Sequence, residues 1–121
     1  MPVSSATRSR IRKFLDPDEE IVYVFPADVL MSTDPSVIFV VTQRAIKILS
    51  TGMWSRKSPK SVVAELPRNT RIGPVEPQQI PYFNLSGLTY EIDEEYVAVV
   101  NAADSELTRE GNGPSDPLPD L

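Results

Sequence analysis

The 121-residue sequence predicts a mainly β fold: an antiparallel β-roll, left half open, with one C-terminal helix over its mouth or core. Three observations carry this. Between Ile21 and Leu49 lie three β-branched and aromatic runs separated by polar turns. One convincing helical periodicity follows Asp93. Twelve prolines against five glycines mark a turn-rich chain.

A short basic helix is expected from about Ser5 to Leu15, which brings Ile11, Phe14 and Leu15 together and sets the bases elsewhere. The first strand is Ile21-Val22-Tyr23-Val24-Phe25, bounded by Asp16-Pro17 and Pro26. Val37 to Val41 and Ala45 to Leu49 form a hairpin around Thr42-Gln43-Arg44, a connection without the glycine or asparagine of favoured two-residue turns. Both faces of the Val37–Val41 strand are apolar, so one meets the core and an adjoining segment covers the other. Lys47 breaks the pattern of the next strand and is expected to point to water.

Met53 to Lys60 reads as a loop, and Val62 to Leu66 as a short strand ending at Pro67. Arg71 to Val75 reads as a short edge strand, Pro77 and Pro81 frame a loop, and Leu88 to Ile92 alternates as a strand. Asp93 is the expected N-cap of the terminal helix, with Glu94 and Glu95 in its first turn. Tyr96, Val100, Ala103 and Leu107 line one face. The β propensity of Val97, Val99 and Val100 leaves a strand as the alternative. The domain is assigned to residues 11–107, after a flexible N-terminus (1–10) and before a disordered tail (108–121) poor in apolar residues.

Composition narrows function by exclusion. There is no cysteine and no histidine. Disulfides, thiol catalysis, Cys-based zinc sites and imidazole-dependent catalysis or metal binding are therefore absent. Net charge is −5, which argues against a general nucleic-acid binder. No apolar run approaches the ~18 residues of a transmembrane helix, so a cytoplasmic protein is expected. Charge falls in blocks: residues 1–15 and 43–71 are basic, while 16–42 and 72–121 are acidic.

Four pieces of the chain, in order over roughly residues 11–107, resemble the bacterial pleckstrin-homology-like (PH-like) domains, short actinobacterial proteins in particular. They are Phe14-Leu15-Asp16-Pro17-Asp18-Glu19-Glu20, Val40-Val41-Thr42-Gln43-Arg44-Ala45-Ile46, the stretch from Pro59 to Val75, and Tyr90 to Asp104. Asp18 stands where those proteins commonly carry glycine, and the helix here is acidic where theirs is often basic. The resemblance implies a PH-like roll of about seven strands with a C-terminal capping helix. It also implies a scaffold that binds lipids, peptides or other subunits without enzymatic activity.

Two basic features are candidate interaction sites. The first is Trp54, Arg56, Lys57 and Lys60, where an aromatic beside three cations suits peripheral contact with an anionic membrane. The alternative is that Trp54 folds back over the roll and the cations are solvated. The second is Arg68 and Arg71, which could hold a carboxylate, or could pair with acidic neighbours such as Glu91 across the sheet. The first loop of the roll, Pro26 to Pro35, holds Asp28 and Asp34 and no base, which disfavours phosphoinositide binding. Asp16, Asp18 and Glu20 have calcium-loop spacing, but Ile21 stands where glycine is needed and Ala27 where a bidentate glutamate is needed. Glu94 and Glu95, adjacent on a helix, face apart and do not make a general acid–base pair. No catalytic, cofactor or metal site is expected. The expected role is an interaction module that binds a protein partner or associates with itself, with weak anionic-membrane contact as the alternative.

Overall fold

A computed structural model describes residues 3–32, 35–51 and 58–107. The element order is α1 (Ser5–Arg12), β1 (Ile21–Val29), β2 (Ser36–Thr42), β3 (Ala45–Ser50), β4 (Ser61–Pro67), β5 (Tyr82–Leu85), β6 (Leu88–Glu91) and α2 (Val97–Glu106). The strands form one antiparallel sheet in the order β4-β3-β2-β1-β6-β5, curled into a half-barrel. Among the described residues it has six strands where about seven were expected. The stretch Arg71–Val75 is irregular, while Tyr82–Leu85, to which the sequence pattern assigned no element, is a strand.

Side-chain alternation sorts the central strands onto two apolar faces. The inner face carries Phe25, Phe39, Val41, Ile46, Ile48, Phe83 and Tyr90, and α2 packs Val100 and Ala103 into it. Phe25 stacks on Phe39 with ring centroids 4.9 Å apart, Phe83 on Tyr90 at 5.3 Å, and Phe39 meets Tyr90 edge-on. Such pairs add about 0.5–1.5 kcal/mol each beyond burial. The outer face carries Val24, Ile38, Val40 and Leu49, and Ile11 of α1 is fully buried against them, flanked by Phe14 and Leu15. The apolar second face of β2 is thus covered by the N-terminal segment. Ser4 caps α1 by accepting from the Thr7 N–H, and Thr7, within the stretch assigned to a flexible N-terminus, is itself buried.

Local chemistry explains the departures. β1 runs through Pro26 instead of stopping there. The Val29 N–H reaches Pro35 O on the β2 side and the Leu30 N–H reaches Thr89 O on the other. Alternation then puts the donor-less Pro26 nitrogen on the β6 side, short of where the β1–β6 ladder begins at Asp28. The β2–β3 turn manages without glycine because the Thr42 hydroxyl accepts from the N–H groups of Arg44 and Ala45. The β5–β6 turn uses Ser86 and Gly87, both at positive φ (53° and 82°), as a type I′ hairpin requires.

The terminal helix is entered through a 3-10 turn, Glu94–Tyr96, so α2 proper starts at Val97. Asp93 is extended and its side chain makes no capping bond, contrary to expectation. The helical face Tyr96, Val100 and Ala103 is buried as the periodicity requires. Burial of that face outweighs the β propensity of the valines.

Replacing Ile11 by Ala should cost about 2–5 kcal/mol in urea denaturation followed by circular dichroism. A cost below about 0.5 kcal/mol, the size of a surface change, would mean that α1 does not seal the outer face.

Candidate functional site

The densest polar cluster lies where Asp16 to Glu20 crosses the β2–β3 hairpin. Lys47 is correctly placed by its strand on the outer face, but that face is covered there, so the side chain is buried rather than solvated. Its Nζ donates to Glu19 Oε1 at 2.8 Å and to Phe14 O at 3.4 Å. Both partners of the ion pair are out of water, with side chains 8% (Lys47) and 1% (Glu19) exposed. Glu19 also accepts from the Asp16 N–H at 2.9 Å and the Thr42 hydroxyl at 2.8 Å.

Burial pushes the Glu19 carboxyl up, but the hydrogen bonds from Lys47, the Asp16 backbone and Thr42, with the Lys47 charge, outweigh it. The result is a fall from 4.5 to about 2. Around this centre Arg44 holds Asp16 (3.1 Å) and Asp18 (2.7 Å), and Gln43 exchanges hydrogen bonds with Glu20 N and Asp18 O. Of the three residues with calcium-loop spacing, Asp16 and Asp18 thus hold the hairpin through their carboxylates and Glu20 through its backbone N–H.

A second buried carboxylate sits at the far side of the sheet. Asp104 of α2 accepts from the N–H groups of Ile72 and Gly73, both at 2.8 Å. Those amides are therefore committed to the helix, which is why Arg71–Val75 pairs with no strand. Arg68 Nη2 donates to Ala103 O and to Glu106 Oε1, both at 3.2 Å, and the Tyr23 hydroxyl donates to the other Glu106 oxygen. One of the two expectations for Arg68 and Arg71 was pairing with acidic neighbours such as Glu91, but Glu91 lies on β6, across three intervening strands from β4.

Among the described residues the basic candidates do not converge. Trp54, Arg56 and Lys57 lie outside the described residues. Lys60 is exposed just before β4, and Arg68 follows its other end. At about 3.3 Å per residue these two are on the order of 25 Å apart. Arg71 is exposed beside a shallow pocket that it lines with Pro74, Asn101 and Ser105.

What the structure adds is an apolar sheet edge. In β4, Val62 is opposite Leu49 and Ala64 opposite Ile48, so Val63 is the extra residue of a bulge. Val62 and Val63 are 40% and 57% exposed on consecutive positions. No strand among the described residues pairs with the outer side of β4. The opposite edge, β5, is partly covered, because the Glu76 N–H donates to Tyr82 O at 2.7 Å. The signal for β4 was readable in Val62-Val63, but not the bulge that exposes both.

Among the described residues no group of three or more acidic side chains is placed to hold a metal ion, and no helix is long and apolar enough to cross a membrane. Comparisons with protein families, curated proteins and solved structures find no match to this chain.

Two outcomes follow for stability. The Glu19 carboxyl is more acidic folded (about 2) than unfolded (4.5), so its contribution of about 3 kcal/mol is complete above pH 4.5. It is lost as pH falls from 4.5 towards 2, and Glu19→Gln should flatten that part of a stability–pH curve. An unchanged curve would contradict the assignment. Asp104→Ala strands two backbone donors and should cost about 3 kcal/mol by urea denaturation, against near zero if those amides reach water.

Proposed function

We propose that the chain is a PH-like, non-enzymatic interaction module that binds a protein through the outer edge of β4. The observation that carries this is the bulged edge with adjacent exposed valines and no covering strand among the described residues. An exposed apolar edge is a template for another strand; a bulge is one device that turns such an edge away, but this one leaves two adjacent valines exposed on it. Strand addition gives affinity through main-chain hydrogen bonds and specificity through alternate side chains. The same edge accommodates a strand of another protein or β4 of a second copy.

Two further features support the reading. The half-barrel with its C-terminal helix matches the coarse architecture that the resemblance implies. The buried carboxylates Glu19 and Asp104 are each saturated by structural partners, which suits a scaffold better than acid–base chemistry.

Val63→Lys places a charge on that edge and should abolish pairing while leaving the fold intact, since Val63 is already exposed. Light scattering over a concentration series and affinity capture would be compared for wild type and variant. Loss in the variant of a dimer, or of a directly binding partner, together with protection of β4 amides from hydrogen exchange in the wild-type complex, is the expected result. A wild type that stays monomeric, with no partner sensitive to Val63→Lys, would contradict it.

A further inference from the structure

The other end of the β1 strand carries a second surface, unlike β4 in charge. Because Pro26 has no donor and the β1–β6 ladder starts only at Asp28, the sheet opens between these strands. A depression of about 210 Å³ lies at the opening and a second of about 390 Å³ beside it against the paired ends of β1, β6 and β5; Ile80 and Glu91 line both. Their apolar parts include Leu30 and Ile80, 40% and 54% exposed. Beside Leu30, Met31 is fully exposed and held at a positive φ of 65°, a conformation rare for a non-glycine residue. Among the described residues the charged ones lining the depressions are Asp28, Glu91 and Asp93, with no lysine or arginine.

We propose that this depression binds a segment of a partner protein in which a bulky apolar side chain is flanked by lysine or arginine. The apolar anchor would seat against Leu30 and Ile80, with unbranched Met31 adapting to its shape. The cations would meet Glu91 and Asp93, whose field is focused by the apolar walls. The same charges repel nucleic acid and anionic bilayers. A basic segment of a protein is therefore the occupant that the surface selects. The site is independent of the β4 edge, which is flanked by Lys60 and Arg68.

The test uses the full chain and three fluorescein-labelled peptides read by anisotropy at physiological salt: alternating Lys and Leu, alternating Glu and Leu, and alternating Lys and Ser. The Lys–Leu peptide should bind saturably, and the other two at least about tenfold more weakly. Glu91→Gln with Asp93→Asn should weaken the Lys–Leu peptide by about tenfold, and Ile80→Ser by a similar factor. Ile80 is half exposed and the first pair replaces carboxylates by isosteric amides, so neither variant threatens the core. Equal binding by wild type and both variants would overturn the proposal. So would equal binding of the Lys–Ser peptide, which would reduce the effect to charge attraction, or no saturable binding of any peptide at millimolar concentration.

Discussion

The outer face of the sheet depends on one buried ion pair. β3 delivers Lys47 to a face that α1 and the following segment must cover, because Ile38, Val40 and Leu49 lie on it. A buried ammonium without a partner costs several kcal/mol, so covering that face requires a carboxylate at one position. Glu19 occupies it, held also by Thr42 and the Asp16 amide. A buried pair of this kind adds little net stability over a well-packed apolar pair. Its consequence is positional: Asp16 to Glu20 can lie over the β2–β3 hairpin in one register only, and that fixes where β1 begins and how α1 approaches.

The inner face has a counterpart in Asp104. There the carboxylate satisfies the amides of Ile72 and Gly73 and ties the irregular stretch after β4 to the last turn of α2. The stretches 14–20, 40–46, 59–75 and 90–104 thus meet in two pairs, each joined through a buried acid. Glu19 and Asp104 serve the fold. The surfaces proposed for partners use other residues of the same stretches, Val62 and Val63 at the bulged β4 edge and Glu91 and Asp93 beside the opening at Pro26.

Continuous β-branched runs made β1, β2 and β3 legible in the sequence, and the doubly apolar β2 announced that a second segment would cover the sheet. β5 was obscured because Tyr82–Leu85 is only one buried–exposed alternation repeated, wedged between Pro81 and the Ser86–Gly87 turn. Lys47 was misread because burial of a lysine depends on a partner distant in sequence, and local alternation carries no information about Glu19. The same holds for Arg71–Val75, whose strand-like composition gives way to a helix carboxylate that captures its amides. Arg68 and Arg71 were seen as one basic turn, but tertiary contacts assign the first to Glu106 and leave the second exposed. The β4 edge was half legible, since Val62 and Val63 were visible as strand residues and only the register shift brings both to the surface.

The claim that Glu19 and Lys47 act as one unit is tested most directly by a double-mutant cycle in urea at neutral pH. Glu19→Gln, Lys47→Met and the double variant would be compared with wild type. Each single change should cost about 3–5 kcal/mol because it strands the other group, while the double should cost no more than either single, a coupling of at least about 3 kcal/mol. Additive costs, with coupling below about 0.5 kcal/mol, would show that the two side chains are independent and that something else holds Asp16 to Glu20 on the hairpin.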